Sequence, residues 1–376
     1  MSSSPRVIVI GAGVLGLSSA AELAARGHAV TVLDPGGPNA SSAAAGMIAP
    51  AMESLIDGLS AEHAALLKRG RDLWPAFAGL HGLALHLDGA EWRGSDPDAA
   101  VATLHRLGFA AGRAGEGLFT PDDWRIEAQG ALAALSSRPG VTRVEAAVTR
   151  LSHADGLWTA TAADERHWTA PTVVLATGVA TALPGLPQAV AVLVNSIEPI
   201  RGQLTPVVCA APDRVLRGPG GYATPTTDGA LCGATMQSGD RSTDPDMEIA
   251  TKQAANGVAL IGAAAQPGPP RVGIRGASPD GLPMAGPSGA PGLHLALAPR
   301  RNGWLLGPLL GRVVADGIEG RAPLADAAAP PPPRLAGSVS RRHEPQVHGA
   351  PGPFRRAGDG PGVAPGVTRP LLCGPT

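Results

Sequence analysis

The chain has 376 residues, including 51 glycines and 38 prolines, and its formal net charge at pH 7 is -1. This length allows roughly two domains with a sizeable core. The balanced charge, without a stripe of Lys or Arg, argues against nucleic acid as the main partner. The three cysteines lack metal-ligand spacing, so we expect neither a disulfide framework nor a metal site, and a reducing, cytoplasmic compartment fits. The sequence has no run of about eighteen apolar residues, so we expect no membrane span.

The first predicted elements are a strand, a helix and a second strand, with a glycine-rich turn after the first strand. The apolar run Val7 to Ile10 predicts the first strand, and the small residues up to about Arg26 predict the helix. Gly27 is a typical carboxyl-terminal cap. Ala29 to Leu33 predict the second strand, which leads into Asp34. This order is typical of the unit that binds dinucleotide cofactors.

The turn of this unit reads G-x-G-x-x-G at Gly11, Gly13 and Gly16. Gly11 permits the tight turn, Gly13 lets the backbone approach a pyrophosphate, and Gly16 lets the helix pack close to the strand. The N–H groups and the positive dipole end at the helix start suit phosphate. Asp34 can accept hydrogen bonds from both ribose hydroxyls. The motif therefore predicts dinucleotide binding, but alone it does not separate NAD from FAD.

The next segment, "PGGPNASSAAAGMIAP" from Pro35 to Pro50, separates the two cofactors. Its tiny side chains from Ser41 to Gly46 would let the backbone pass against a flat ring system. The apolar exit "GMIAP" favours a buried passage over the alternative, a flexible linker. The segment resembles the flavin-contacting loop of the D-amino-acid oxidase superfamily, and within it the glycine oxidases of bacterial thiamin biosynthesis.

Three further segments follow in the order of that superfamily. "GVTRVEAAVTRL", Gly140 to Leu151, and "APTVVLATGVAT", Ala170 to Thr181, resemble the strands whose backbone meets FAD. "GYATPTTDGALCGATMQSGD", Gly221 to Asp240, predicts a hairpin around a Thr-Asp-Gly turn. This hairpin resembles the one that carries a substrate-pocket Tyr and Met in glycine oxidases.

Two arginine-bearing segments complete the resemblance, which spans most of Pro5 to about Ala325. They are "GIRGASPDGLPMAGP", Gly273 to Pro287, and "LALAPRRNGWLLGP", Leu295 to Pro308. The second segment opens a predicted apolar helix from Trp304 to about Ile318, whose first N–H groups would face the flavin.

The resemblance implies that FAD is the cofactor. Attachment would be non-covalent, because Gly273 to Pro308 contains no cysteine for a covalent link. The residues that the resemblance and the dinucleotide motif place at the cofactor are Gly11, Gly13, Val14, Leu15, Gly16, Asp34, Pro35, Ser41, Ser42, Ala45, Gly46, Met47, Val148, Ala176, Gly178, Arg301, Asn302, Gly303, Trp304 and Leu305.

The resemblance also implies a pocket for a small amino acid. Arg275 and Arg301 would bind its carboxylate, for which a forked and permanently charged guanidinium is suited. Tyr222 would add a hydrogen bond, with an ordinary buried strand tyrosine as the alternative. Met236 would line the pocket, with core filling as the alternative. No general base is implied, and Arg300 is left for an ion pair or the surface.

The implied activity is oxidative deamination of glycine or a similarly small amino acid. A hydride would pass from the substrate α-carbon to flavin N5, water would hydrolyse the imine, and the electrons would go to oxygen or another acceptor. The alternatives are an oxidase or dehydrogenase of D-amino acids or of N-methylated glycines such as sarcosine, and a flavin-binding protein without turnover. The last alternative arises because Ala298 and Pro299 stand where family members commonly have Gly-His.

The predicted fold is α/β, with a discontinuous Rossmann-type FAD-binding domain over 1–50, 140–190 and 272–326. The predicted substrate domain, 51–139 and 191–271, is built on a largely antiparallel sheet. The segment 327–376 is rich in Pro, Gly and Arg, which predicts a disordered tail. The oligomeric state stays open, with a homo-oligomer as one alternative.

Overall fold

The computed structural model describes residues 6–322, which contain strands β1–β22 and helices α1–α10. The strands are β1 (Arg6–Ile10), β2 (Ala29–Asp34), β3 (Met47–Ile48), β4 (Leu85–His86), β5 (Ala90–Trp92), β6 (Gly112–Ala114), β7 (Gly117–Thr120), β8 (Trp124–Ile126), β9 (Val141–Glu145), β10 (Val148–Ala154), β11 (Leu157–Ala162), β12 (His167–Ala170), β13 (Thr172–Leu175), β14 (Glu198–Val208), β15 (Val215–Gly218), β16 (Gly221–Thr226), β17 (Gly229–Gly233), β18 (Gln237–Ser238), β19 (Gln266–Pro267), β20 (Arg271–Ala277), β21 (Met284–Pro287) and β22 (Leu293–Leu297). The helices are α1 (Val14–Ala25), α2 (Ala40–Ala43), α3 (Pro50–Ile56), α4 (Ala61–Asp72), α5 (Trp74–His81), α6 (Pro97–Arg106), α7 (Ala128–Ser136), α8 (Gln188–Asn195), α9 (Met247–Ile261) and α10 (Gly303–Ile318).

A six-stranded sheet has the order β21-β22-β13-β1-β2-β9, and the glycine-rich turn follows the carboxyl end of its inner strand β1. Its strands run parallel, except that β21 pairs antiparallel with β22. In β1, Val7 and Val9 join the core under α1 and α10, and Ile8 and Ile10 join the core on the opposite face. Apolar residues on both faces are typical of a parallel strand covered on both sides. The carboxyl ends of these strands form the edge where such sheets bind ligands.

A ten-stranded sheet lies mainly in the middle of the sequence and is largely antiparallel. Its path is β18-β14-β17-β16-β15-β5-β7-β6, with β19 and β20 also paired to β14. Within it β5 and β15 pair in parallel, and the other neighbouring strands pair antiparallel. Two three-stranded sheets, β10-β11-β12 and β3-β8-β4, complete the described strands. The predicted α/β class with a largely antiparallel second sheet is therefore confirmed.

Helices α1 and α10 lie close together because glycines of α10 face α1. A Cβ at Gly307 would lie 2.9 Å from Ser18 Oγ, and one at Gly311 would lie 2.8 Å from the Ser18 carbonyl oxygen. At the carboxyl ends, Arg26 donates hydrogen bonds to Asp316 at 2.7 Å and to Glu319 at 2.8 Å. The two helices are thereby held side by side, and their amino-terminal ends meet.

A proline inside α10 leaves one backbone carbonyl of the helix without its usual N–H donor. A tryptophan that is distant in sequence donates to this carbonyl instead. Pro308 has no N–H to donate to the carbonyl of Trp304, four residues earlier. The indole Nε1 of the fully buried Trp74 donates to that carbonyl instead, at 3.0 Å, and to the Leu305 carbonyl at 3.2 Å. Helix α5 therefore supports the first turn of α10, which carries predicted cofactor residues.

The predicted domain boundaries stay a prediction. The six-stranded sheet takes its strands from 1–50, 140–190 and 272–326, but β20 (Arg271–Ala277) lies across a predicted boundary and pairs with β14 over seven residue pairs. The predicted tail, 327–376, lies outside the described residues. Within the described range, none of the helices has both the length and the apolar character needed to cross a bilayer.

His81 gives the fold a specific sensitivity to acid. The residue is 3% exposed, its ring centroid lies 4.4 Å from that of Phe77, and neither ring nitrogen has a hydrogen-bond partner among the described residues. Burial, assisted by the charge of Arg138, lowers the pKa of His81 to about 4, against an ordinary value of 6.5. Between these values the unfolded chain binds a proton that the native protein does not, so stability falls as the pH drops from 6.5 towards 4.

We expect His81→Phe to reduce this acid sensitivity. The slope of unfolding free energy against pH should fall by up to about 1.4 kcal/mol per pH unit in that window. Denaturant unfolding at a series of pH values measures the slope. His105→Phe, which replaces an exposed histidine, is the matched control. Equal slopes for wild type and His81→Phe would contradict the prediction.

Candidate functional site

The glycine-rich turn between β1 and α1 is packed so closely that it has no room for a side chain at Gly11 or Gly16. Gly11 has a φ of 111°, and a Cβ there would overlap the carbonyl oxygen of Ala176, which follows β13. A Cβ at Gly16 would overlap the carbonyl oxygen of Gly11. Gly13 caps α1 without a side-chain hydrogen bond and lines a cavity. The geometry agrees with the reasons given for Gly11 and Gly16, and the reason for Gly13 stays a prediction.

Asp34 lies at the carboxyl end of β2 and ties the turn to the following loop. Its carboxylate accepts from the N–H of Ala12 at 2.7 Å and from the N–H of Gly36 at 2.8 Å. The guanidinium of Arg143, on β9, lies 3.4 Å from the same carboxylate. Arg143 and Ala12 line a cavity with polar side chains that include Asn39, Ser42 and Gln129. An acid beside such a cavity suits a ribose.

The segment of tiny residues contains a one-turn helix, α2, that turns Ser41 towards α1. Asn39 caps α2 by accepting from the N–H groups of Ser41 and Ser42, both at 3.0 Å, and its own N–H donates to Ser42 Oγ at 3.0 Å. Ser41 Oγ accepts from the Val14 N–H at 2.9 Å. The Ser41 carbonyl accepts from Trp304 Nε1 at 3.1 Å. Ser41 thus links the starts of α1 and α10.

A second cavity lies where these two helices begin. Neither Gly13 nor Asn302, the residues that cap α1 and α10, makes a side-chain capping hydrogen bond. Apart from the Val14 N–H, which donates to Ser41 Oγ, the first N–H groups of both helices have no side-chain cap, and the positive dipole ends beside the cavity favour anionic groups. Its lining residues include Gly13, Val14, Leu15, Ser41, Ala176, Gly178, Arg275, Ala298, Pro299, Arg301, Gly303 and Trp304.

The remaining predicted cofactor residues have varied surroundings. Gly46 has a φ of 68°, and a Cβ there would overlap the Ile126 carbonyl oxygen. The Met47 sulfur accepts from Arg217 at 3.2 Å. Val148 begins β10, Leu305 is 1% exposed, Ala45 is half-buried and Pro35 is exposed.

The residues present fit FAD. The glycine turn and the start of α1 suit the pyrophosphate, the acid at Asp34 suits the ribose, and the start of α10 suits a flavin that becomes negatively charged on reduction. Two cavities adjoin this turn, one beside Ala12 and one beside Gly13. The assignment of individual residues to FAD contacts stays a prediction.

Arg275, on β20, brings a cationic group to the edge of the second cavity. It donates to the Thr235 carbonyl at 3.1 Å and contacts the Met236 sulfur at 3.4 Å. No carboxylate lies within 4.0 Å of it among the described residues, and burial lowers its pKa below the ordinary value, with Tyr222 opposing the shift. Its guanidinium lies over Gly202 of β14, where a Cβ would overlap it.

Arg301 is held differently from Arg275. Its guanidinium contacts Glu53 of α3 through Nε, and its Nη2 lies 2.9 Å from an Asp57 carboxylate oxygen. Glu53 also accepts from Arg217 at 2.9 Å. Burial opposes ionisation of Glu53, but Arg301 and Arg217 hold its pKa below the usual value. Arg301 thus lines the cavity, but its guanidinium is already paired with the carboxylates of Glu53 and Asp57.

The segment around Pro299, which departs from the family pattern, has an unusual backbone conformation. Ala298 and Arg300 have φ values of 56° and 52°, in the left-handed region that favours glycine. The Arg300 N–H donates to the Gly276 carbonyl at 2.8 Å, and Arg300 Nη1 lies 2.9 Å from Asp57. The methyl of Ala298 is therefore tolerated in a strained backbone, and Arg300 takes part in an ion pair.

Several residues of the site were not predicted from the sequence. Glu53 and Asp57 are four residues apart, a spacing that puts both on one face of a helix and could have marked them. Asp123 accepts from the N–H groups of Ala51 and Met52 at the start of α3, at 2.8 and 3.1 Å. Burial raises the pKa of Asp123 to about 7, against the effect of Arg217. No local sequence pattern marks Asp123 or Arg217.

Comparisons with known proteins agree with this geometry. The family model described as DAO, FAD dependent oxidoreductase, matches residues 6–317. The glycine oxidase of Pseudomonas aeruginosa is 30% identical over 364 residues, which are 86% of this chain and 98% of that protein. The crystal structure of glycine oxidase from Geobacillus kaustophilus is 25% identical, with a TM-score of 0.73, and covers 86% of this chain and 98% of that chain.

A second kind of relative is longer. The tRNA 5-methylaminomethyl-2-thiouridine biosynthesis bifunctional protein MnmC of a Caulobacter species is 30% identical over 355 residues, 83% of this chain and 54% of that protein. The chain therefore spans about half the length of this relative. The predicted resemblance to the D-amino-acid oxidase superfamily and its glycine oxidases is confirmed. The chain belongs to the DAO family of FAD-dependent oxidoreductases, and its cofactor is FAD.

Proposed function

We propose that the protein oxidatively deaminates glycine or another small amino acid. The observation that carries this proposal is Arg275, a half-buried guanidinium beside the cavity with no carboxylate partner among the described residues. Such a cation can bind the carboxylate of an amino acid and offset the cost of removing it from water. The glycine oxidase relatives support the same substrate class.

Tyr222 is proposed as the second group on the substrate carboxylate. Burial raises the pKa of its hydroxyl to about 12, although Arg275 and Arg217 oppose the shift. The hydroxyl is therefore protonated at neutral pH and available to donate a hydrogen bond. Met236, next to Arg275 and 39% exposed, would contact the substrate from the open side.

FAD, when bound, would take the hydride from the substrate α-carbon and pass the electrons to oxygen or another acceptor. The residues of the chain bind and orient: Arg275 and Tyr222 hold the carboxylate so that the α-carbon faces the cofactor cavity. The amine enters neutral, so loss of the hydride turns the C–N bond into that of an iminium (protonated imine), and no general base is assigned. Water then hydrolyses the imine, and with oxygen as acceptor the products are the 2-oxo acid, ammonia and hydrogen peroxide.

A second candidate is oxidation of an N-substituted glycine, of which sarcosine is the smallest. The name of the MnmC relatives specifies a methylaminomethyl group, a secondary amine, and this favours the candidate. Small D-amino acids form a third substrate group. A role in forming the thiazole of thiamin, in the cytoplasm, belongs to the glycine proposal alone.

Product analysis separates these candidates. The flavin-loaded protein would be supplied with glycine, sarcosine or D-alanine in the presence of oxygen, and the 2-oxo acid, amine and peroxide would be quantified. Glyoxylate with ammonia from glycine supports the first proposal, and glyoxylate with methylamine from sarcosine supports the second. Absence of all products from all three compounds would count against amino acid oxidation.

We predict that Gly202→Ala weakens substrate binding more than turnover. Gly202 does not have a φ in the left-handed region, so the cost of a methyl group arises from its overlap with the Arg275 guanidinium. KM for the best substrate should rise by about tenfold or more, a loss on the order of 1.4 kcal/mol, with a smaller change in kcat. Steady-state kinetics measure both.

The matched control for this prediction is Gly112→Ala, on β6. A Cβ there meets nothing within 4 Å, so both constants should stay close to wild type. An unchanged KM in Gly202→Ala would show that the position of the Arg275 guanidinium does not matter for binding.

A further inference from the structure

Glu53 occupies a position that a ligand carboxylate could take. One oxygen accepts from Arg217 Nη1 at 2.9 Å, and the other contacts Arg301 Nε. The residue is 7% exposed, so both interactions are shielded from water. A carboxylate that bridges two guanidinium groups has the arrangement by which proteins bind anionic ligands.

Arg217 keeps hydrogen-bonding capacity for an anion. Arg217 is 4% exposed, and its Nε is buried without a hydrogen-bond acceptor among the described residues. Its guanidinium lies 5.8 Å from the ring centroid of Tyr222. The charges of Arg275 and Arg301 repel each other, and this repulsion contributes to the lowered pKa of Arg275. Without Glu53, Arg217 would have no carboxylate partner among the described residues, and Arg301 would keep only Asp57.

We propose that Glu53 is a specificity-determining residue that occupies a second anion subsite, so that the site accepts substrates with one carboxylate and rejects those with two. This inference rests on the proposed function, because it takes Arg275 as the anchor for the first carboxylate. A second ligand carboxylate near Arg217 and Arg301 would meet the negative charge of Glu53 at low dielectric, where like charges repel strongly. Glu53 acts on the substrate by repulsion and by neutralising two arginines.

Asp57 provides the comparison that separates this role from general ion pairing. It contacts Arg301 and Arg300 but not Arg217 in the described structure, and it lies after the last residue of α3. Asp57→Asn leaves Glu53 between Arg217 and Arg301. It should therefore weaken the ion-pair network without emptying the subsite.

The test compares acetate with malonate, which differ by one carboxylate, and adds succinate for a longer separation. Their dissociation constants are measured on the flavin-loaded protein by titration calorimetry. In wild type, we expect acetate to bind at least tenfold more tightly than either dicarboxylate. In Glu53→Gln, the affinity for malonate or succinate relative to acetate should rise at least tenfold, and in Asp57→Asn it should change less than threefold.

The outcomes distinguish this inference from the proposed function. If wild type fails to bind acetate, or Arg275→Ala binds it equally well, the proposed carboxylate anchor is wrong. If wild type binds acetate but Glu53→Gln gains nothing for malonate or succinate, the second subsite is wrong.

A destabilised variant still gives a result. Should Glu53→Gln bind too little flavin for calorimetry, the melting temperature of the variant is measured with each anion. A larger increase with malonate or succinate than with acetate, absent from wild type, supports the subsite. Equal increases with all three anions would overturn it.

Discussion

Arg275→Ala is expected to lower kcat/KM for the best amino acid substrate by at least about a hundredfold, a loss on the order of 3 kcal/mol. The site would lose its cation without a carboxylate partner, because Arg217 is paired with Glu53 and Arg301 is paired with Glu53 and Asp57. A charge-assisted pair of hydrogen bonds to one carboxylate accounts for a loss of this size. Steady-state kinetics at saturating oxygen measure the loss.

Arg275→Lys is the informative companion to this variant. Lysine keeps the positive charge but lacks the planar fork, so it should restore only part of the activity. Flavin content should stay at the wild-type level in both variants, since Arg275 lies on β20 and not in the glycine turn. A kcat/KM within threefold of wild type in Arg275→Ala would contradict the proposed anchor.

Gly16→Ala is expected to abolish most flavin binding. A Cβ at residue 16 would overlap the carbonyl oxygen of Gly11, so α1 would have to move away from the turn. Such a shift misplaces the N–H groups at the helix start, which are expected to contact the pyrophosphate. The ratio of flavin to polypeptide after purification should fall below about a tenth of wild type, because backbone contacts of this kind have little room to relax.

The control for the flavin prediction is Gly79→Ala in the middle of α5. A Cβ there meets nothing within 4 Å, and alanine is the better helix former by roughly 1 kcal/mol. This variant should keep its flavin and melt at the same temperature as wild type or higher. Full flavin content in Gly16→Ala would show that close packing of the turn is not required.

The first strand, helix and second strand could be predicted because their signals are local. The predicted strand Val7 to Ile10, the helix to about Arg26 and the strand Ala29 to Leu33 correspond to β1 (Arg6–Ile10), α1 (Val14–Ala25) and β2 (Ala29–Asp34). The hydrophobic periodicity and the glycine spacing that predict these elements both lie within about thirty residues, the length of one βαβ unit.

The short helix α2 was harder to predict. The segment Ser41 to Gly46 was interpreted only as a close-packed passage of tiny residues, whereas the structure has a helical turn over Ala40–Ala43. Asn39 followed by Ser42 forms the reciprocal cap, a pattern that reads as a helix start only when the following residues continue the helix. A four-residue helix leaves almost no periodic signal.

The ion pairs around Glu53 could not be predicted, because they join distant parts of the chain. Glu53 and Arg217 are 164 positions apart, and Glu53 and Arg301 are 248 positions apart. The sequence identified Arg301 through its resemblance to a family motif, but the residue that neutralises it lies on α3. Partners of this kind appear only when the fold is known.

The measurement that tests the central claim most directly is anaerobic reduction of the bound flavin, followed by its absorbance. Glycine and methylamine share an amine, and only glycine carries the carboxylate that Arg275 would bind. We predict that glycine, sarcosine or a small D-amino acid bleaches the flavin, that methylamine does not, and that Arg275→Ala removes the response. Failure of all amino acids to bleach a fully loaded wild-type protein, or equal bleaching by methylamine, would contradict the account.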